Sequence, residues 1–147
     1  MGRFAFARPL AAAVSLVVFV SAAHAIPPDR DGNGLRATPP HLQFGSIEVG
    51  SVSHSRHVRV RNLADETAIV FALSLSPGYQ LGAHTCFDAG LAPGESCEID
   101  LTSAPTAAGV ADGTLRVQFC FPSDPICPGA IFGQERLIDV PLRSRGR

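Results

Sequence analysis

The sequence predicts an all-β protein: an antiparallel β-sandwich of about seven strands, held together by two disulfides. Two observations carry this prediction. Short segments alternate apolar and polar residues, and turn residues interrupt them roughly every 8–12 positions, which is the pattern of antiparallel sandwiches. Four cysteines lie in the same part of the chain. After residue 25, no window shows the sustained 3.6-residue period of a helix.

The first 25 residues have the features of a secretory signal peptide. Arg3 and Arg8 give a positive start, residues 10–20 are apolar except for Ser15, and Ala23-His24-Ala25 is the small-x-small motif that signal peptidase cleaves. The stretch between Arg8 and His24 is shorter than the ~20 apolar residues of a membrane span. Cleavage is therefore expected before Ile26, leaving a chain without a membrane span in a bacterial periplasm or outside the cell.

The expected mature chain has 122 residues, which suits one domain with a modest core. It carries ten Arg, no Lys and thirteen Asp plus Glu, so its formal charge is −3. Nucleic-acid binders normally carry a basic excess, so nucleic acid is not an expected partner. Residues 26–38 are rich in Pro, Gly and charge and are predicted to be a flexible lead-in. The sandwich is expected over residues 39–147.

The predicted strands follow one another from residue 42. They are Leu42–Phe44 and Ile47–Val49, each ending at a glycine, then His57–Arg61, Ile69–Leu75, Cys97–Leu101, Leu115–Phe119 after a turn at Asp112-Gly113, and Leu137–Leu142. In the third of these, Val58 and Val60 are expected to face inward and the cationic residues outward. Chance does not account for so many segments that share the same apolar–polar alternation.

All four cysteines, Cys86, Cys97, Cys120 and Cys127, lie in the exported part, and an even number there favours disulfides. Three connectivities are possible. The local pairs are favoured because each closes a short loop between strand-like segments. The alternative is a zinc site built from four thiolates. Such a site typically needs paired C-x2–4-C knuckles, whereas these gaps hold ten, twenty-two and six residues.

Several motifs, taken in order, carry a resemblance to a known family. They are Pro40, Leu42, Phe44-Gly45, Val49-Gly50-Ser51, Val58, Val60 and Asn62, then Cys86 with Leu91-Ala92-Pro93-Gly94-Glu95-Ser96-Cys97, then Pro105, Ala108-Gly109 and Val140-Pro141-Leu142. The pattern resembles the bacterial choice-of-anchor D domain, which is similar to the immunoglobulin-like modules of Hydin and abnormal-spindle proteins. The resemblance implies an immunoglobulin-like fold and a Cys86–Cys97 bond, and it implies no catalytic residues.

The chain departs from that family pattern at two places. The aromatic residue before the proline turn is missing from residues 101–105, and residues 119–134 form a longer connection than the domain needs. Cys120 and Cys127 are expected to staple this connection into a loop. Its candidate partner-binding residues are the apolar Phe121, Ile126, Ile131 and Phe132, in a segment that three prolines stiffen. The alternative is that these side chains fold back and cap the sandwich.

A second candidate site is cationic. Arg56, Arg59 and Arg61 would form a basic strip with Arg143, Arg145 and Arg147 if their strands lie close together, and the strip would meet an anionic glycan or lipid. The alternative is a solvated strand face with a frayed C-terminal tail.

No metal or cofactor is expected. Asp29–Gly34 matches the opening of a calcium loop, but Pro40 stands where the bidentate Glu belongs. His54 and His57 form H-x-x-H, yet on a strand they point to opposite faces. The sequence has no G-x-S-x-G elbow and its acidic residues are scattered, so no enzyme activity is expected.

The sequence therefore predicts a non-enzymatic, exported interaction or structural module. The expected partner is another exported or envelope protein, bound through a sheet edge or through the 120–134 loop. One alternative is an anion binder that uses the arginine strip. Another is a protease inhibitor that presents the loop between Cys120 and Cys127.

Overall fold

A computed structural model describes residues 34–87, 90–124, 127 and 136–147. Eight strands form within them: β1 Leu35–Thr38, β2 Leu42–Ile47, β3 Arg56–Asn62, β4 Ile69–Leu75, β5 Tyr79–His84, β6 Ser96–Ser103, β7 Gly109–Cys120 and β8 Arg136–Gly146. The prediction of an all-β sandwich with two disulfides is confirmed. The expected signal peptide and residues 26–33 lie outside the described residues.

The strands form two four-stranded sheets. The first has the order β1-β3-β6-β5 and the second the order β2-β8-β7-β4. Among the strand pairs that the structure describes, β2 and β8 run parallel and all the others run antiparallel. The exception arises because the chain leaves the first sheet after β1, passes Pro39 and Pro40, and enters the second sheet beside its last strand.

The end of the expected lead-in is in fact a strand. Residues 35–38 form β1, in which Leu35 and Ala37 are buried and pair with β3. This strand escapes a search for period-two segments because it has four residues, with Gly34 before it and two prolines after it. The folded unit therefore begins earlier than residue 39.

The core lies between the two sheets and is built by the inward residues of the four central strands. Those with no exposed surface include Val58, Val60, Ile99, Leu101, Leu115, Val117, Phe119 and Val140. Each such side chain contributes about 1.5–3 kcal/mol by leaving water. The inward direction predicted for Val58 and Val60 is confirmed.

Tyr79 connects the two sheets at one end of this core. Its ring packs against Phe44 at a centroid distance of 5.6 Å, and its hydroxyl donates to the carbonyl of Ala111 at 2.8 Å. The ring also occupies the space beside Gly113, where an added Cβ would lie 2.5 Å from it. Asp112 and Gly113 pair with Arg143 and Leu142 of β8 in the interior of β7, so the turn predicted at these two residues does not form.

Asn62 is a polar residue with no exposed surface at the end of β3. Its Nδ2 donates to the carbonyls of Glu66 at 2.8 Å and Leu91 at 2.7 Å, while its Oδ1 accepts the N–H of Ala64 at 2.9 Å. Because buried polar groups are tolerated when they are paired, these bonds explain an asparagine in the core. They also join two loops at the end of the sandwich where β7 ends.

Candidate interaction sites

The structure forms both local disulfides. Cys86–Cys97 joins the segment after β5 to β6, and both of its cysteines are buried in the core. Cys120–Cys127 closes the start of the connection between β7 and β8. No cysteine is free, so the zinc alternative has no thiolates to use.

The base of the β7–β8 connection is held by an ion pair as well as by its disulfide. Arg136, the first residue of β8, donates from Nη2 and Nε to the two carboxylate oxygens of Asp124 at 3.0 and 3.2 Å. Asp124 also accepts the backbone N–H of Phe121 at 2.8 Å. The hydrogen bonds from Arg136 lower the pKa of the Asp124 carboxyl most, and the bond from Phe121 lowers it further.

Two further hydrogen bonds hold this connection, one to the rest of the chain and one within it. The Ser123 hydroxyl donates to the Glu66 carboxylate, which lies in the loop between β3 and β4. The N–H of Cys127 donates to the carbonyl of Asp124 at 3.2 Å. The backbone from residue 120 to residue 124 is therefore fixed from both sides.

Phe121 is a core residue, which corrects its proposed role as a contact for a partner. Its side chain is 3% exposed and meets Phe119 edge-to-face at a centroid distance of 5.7 Å. The guanidinium of Arg136 lies 5.0 Å from the ring centroid, and an added Cβ on Gly34 would lie 2.6 Å from the ring. For Phe121 the alternative holds: it caps the sandwich. Ile126, Ile131 and Phe132 lie outside the described residues and stay predictions.

An exposed aromatic residue lies close to this base. Phe71 is 41% exposed on β4, an edge strand whose first residue, Ile69, pairs with Cys120. A shift in register between Val70 and Ala72 buries Val70 and turns Phe71 outward. The sequence pattern misses this exposure because a bulge reverses the inward and outward positions.

The six arginines of the expected strip do not come together. Arg56, Arg59 and Arg61 lie on β3 in the first sheet. Arg143 and Arg145 lie on β8 in the second sheet, followed by Arg147. The outer faces of two packed sheets point in opposite directions, so one continuous strip is ruled out.

The three arginines of β3 do not converge on one ligand position either. Arg59 pairs with Glu98 at 2.7 Å, and this hydrogen bond and charge lower the pKa of the Glu98 carboxyl. Arg61 donates to the carbonyl of Gly94 at 3.1 Å. Arg56 is an odd number of residues from both, which places it on the other side of the strand.

The described part of the chain offers no metal centre and no membrane-spanning helix. No three side chains among its His, Cys, Asp and Glu residues gather as metal ligands would. His54 lies before β3 and His57 lies on it, both exposed. Within the same ranges, no helix has the length and apolar character needed to cross a membrane.

The fold is shared with domains of known structure. The chain superimposes on the ASH / PapD-like domain of human CEP192 with a TM-score of 0.56 and 14% identity, covering 95% of this chain and 98% of that one. It also matches the VesB protease of Vibrio cholerae, with a TM-score of 0.59 and 14% identity over 78% of this chain. The secreted serine protease VesC, from the same organism, gives 0.52 and 13% over 80%.

These similarities show an immunoglobulin-like fold and nothing finer. The chain spans nearly the whole CEP192 domain, but only 32% of VesB and 24% of VesC. No protein-family model matches the sequence, and neither does any curated protein. The immunoglobulin-like fold implied by the family resemblance is thus confirmed, while choice-of-anchor D membership stays a prediction.

Proposed function

We propose that this protein is a non-enzymatic, exported immunoglobulin-like module of the choice-of-anchor D type, which binds another exported or envelope protein. The proposed contact surface consists of the 120–134 loop and the adjoining edge strand β4. The observation that carries the proposal is Phe71, an exposed aromatic ring on an edge strand next to an anchored loop.

The base of the loop contributes rigidity. Among the described residues it is fixed by the Cys120–Cys127 disulfide, by the ion pair between Asp124 and Arg136, and by burial of Phe121. A segment that is already ordered loses less conformational entropy when a partner docks, so more of the contact energy remains as affinity. The predicted contacts at Ile126, Ile131 and Phe132 follow directly from this base in the sequence.

The edge strand contributes unpaired backbone and apolar surface. None of the seven residues of β4 is charged, and no strand of the described ranges pairs with its outer side. Natural edge strands usually carry charges that prevent pairing with another chain, and exposed apolar surface at an edge is typical of protein-binding sites. A partner strand added to β4 would meet Phe71 beside it.

Export is supported by the chemistry of the cysteines. All of them are paired in disulfides, which form and persist in oxidising compartments. The expected signal peptide at residues 1–25 agrees with such a location.

The test places a photo-crosslinking amino acid at Phe71 in cells that produce the protein. Val52 is the matched control, since it is an apolar residue of comparable exposure in the segment between β2 and β3. The proposal expects a discrete crosslinked protein at Phe71 and not at Val52. It also expects that crosslink to weaken in the double variant Ile131→Ser, Phe132→Ser.

Three results would contradict the proposal or one of its parts. Equal crosslinking from both positions, or none from either, would show that β4 is not a contact surface. A crosslink at Phe71 that the loop variant leaves unchanged would remove the loop from the site. Turnover of a partner or substrate by the purified protein would contradict the non-enzymatic part.

A further inference from the structure

A shallow groove lies on the outer face of the second sheet, over the pair formed by β2 and β8. Its volume is about 230 Å³, and its lining includes Gln43, Ser46, Val110, Arg143 and Arg145. The groove is at the β2 edge of that sheet, whereas Phe71 is at the β4 edge. It is therefore separate from the surface proposed above, and the inference goes beyond that function.

A bulge in β2 makes the groove. Gln43 pairs with Arg143 and Ser46 pairs with Arg145, so β2 holds one more residue than β8 over the same length. Gly45 adopts a φ of +76°, a conformation that favours glycine, and apart from its chain neighbours no described residue has an atom within 4 Å of the position its Cβ would take. The floor of the groove is thus bare backbone at this residue.

One of the two arginines in the groove has no ion-pair partner among the described residues. Arg143 pairs with Asp112 at 3.2 Å, but Arg145 forms no ion pair or side-chain hydrogen bond with another residue that the structure describes. Its neighbours in register are Ser46 on β2 and Val110 on β7. The guanidinium donors of Arg145 therefore line the groove together with the hydroxyl of Ser46 and the side-chain amide of Gln43.

A comparable groove on the same face shows the contrast. It is lined by Ser74, Thr114 and Arg116, among others, but Arg116 already binds both carboxylate oxygens of Asp139, at 2.8 and 2.9 Å. Only the groove with Arg145, of these two, presents an uncommitted guanidinium. A guanidinium of this kind matches the two oxygens of a carboxylate.

Apolar surface borders the cationic part. Val110 is 55% exposed and lies directly opposite Arg145 in the ladder between β7 and β8. A ligand that suits both residues carries a carboxylate with an apolar group beside it. An extended peptide provides this when acidic and apolar side chains lie close together along it.

We infer that this groove binds an acidic peptide segment of a partner protein, with a carboxylate on Arg145 and an apolar side chain against Val110. Charge complementarity favours a peptide over a densely charged glycan or lipid surface. Asp112 and Asp139 already neutralise Arg143 and Arg116, so Arg145 is the single uncommitted cation of the groove among the described residues, which suits one carboxylate beside an apolar group rather than a polyanion.

The test is an NMR titration of the ¹⁵N-labelled protein with the blocked peptide Ac-Val-Glu-Val-Glu-Val-NH2. Saturable shifts are expected at the amides of Gly45, Ser46, Val110 and Arg145. The peptide with Gln in place of Glu is expected to bind about fivefold more weakly, because it loses the charge on its hydrogen-bond acceptor. Arg145→Gln should weaken the Glu peptide to a similar extent.

Arg56→Gln is the matched control, since it removes the same charge from an exposed arginine in the other sheet. The inference is overturned if the four amides do not shift, or if Arg145→Gln and Arg56→Gln have equal effects. Tighter binding of a heparin tetrasaccharide or of phosphatidylglycerol vesicles at these amides would overturn it in favour of a polyanion. Dimerisation without peptide would overturn it in favour of a second copy. Crosslinking at Phe71 tests the other surface independently, so either proposal can fail alone.

Discussion

Replacing Asn62 by Ala should destabilise the fold strongly, because this buried side chain holds two loops together. The substitution removes the bonds from Nδ2 to the carbonyls of Glu66 and Leu91, and the bond that Oδ1 accepts from Ala64. Each hydrogen bond contributes about 1 kcal/mol net, so the removal of three bonds should cost about 3 kcal/mol. That is a large part of the stability of a typical domain.

The measurement is urea unfolding followed by circular dichroism, with the wild-type protein alongside. For a slope of about 1.5 kcal/mol per molar urea, a loss of this size lowers the midpoint by about 2 M without changing the slope. A loss below about 1 kcal/mol would refute the reasoning, since it would mean that the remaining bonds, from Ala68 N–H to the Leu91 carbonyl and from Ala64 N–H to Gly34, are sufficient without the side chain.

The variant Asn62→Asp separates hydrogen bonding from volume, because the two side chains have nearly the same shape. A carboxylate keeps an acceptor for Ala64, but it faces the two carbonyl oxygens that the amide bound, so its folded pKa should be raised. Stability linked to a raised pKa is present at low pH and is lost as pH rises through that pKa. The Asp variant should therefore be less stable than the Ala variant at pH 7, and the gap should narrow near pH 4.

Three further predictions concern the loop base and the cross-sheet tyrosine. The pKa of Asp124 is lowered from 3.8, so its contribution to the free energy of unfolding is present above that value and is lost as pH falls below it. The variant Asp124→Asn should therefore show a smaller drop in unfolding midpoint between pH 5 and pH 3 than the wild-type protein. Removing Cys120–Cys127 with the double Ala variant should lower the free energy of unfolding by about 2.5 kcal/mol, measured in urea, and a loss near zero would count against the chain-entropy account. Tyr79→Phe should lower the free energy of unfolding by about 1 kcal/mol because the hydroxyl's hydrogen bond is lost, and Gly113→Ala by about 2 kcal/mol because the added methyl group overpacks the ring. A thermal melt in which Tyr79→Phe is the less stable of the two variants would contradict the packing described.

The fold class and the central strands follow from the sequence because their signal is local. Val58 and Val60 alternate with arginines, and that alternation alone determines which side faces the core. β5 has a weaker local signal: only Tyr79 is buried in this six-residue strand, which also contains Gly82. Its place at the edge of the first sheet is set by pairing with β6, about twenty residues away in the chain.

The candidate site was harder to predict because it depends on contacts between distant residues. The loop was identified from Cys120 and Cys127, but the burial of Phe121 depends on Gly34 and Arg136, to which no local pattern connects it. The prediction of one continuous arginine strip is wrong for the same reason. Spacing within β3 does not reveal which sheet holds β8.

The parallel pairing of β2 with β8 has a kinetic consequence. Roughly ninety residues separate the end of β2 from the start of β8, so β2 has no partner in its sheet until the last strand has been synthesised. Closing so long a loop is slow, and contacts of high sequence separation lower folding rates. Until then Leu42 and Phe44 lack the strand beside them, and exposed apolar strands of this kind favour aggregation. The second sheet should therefore be completed late in folding, by the joining of two distant parts of the chain.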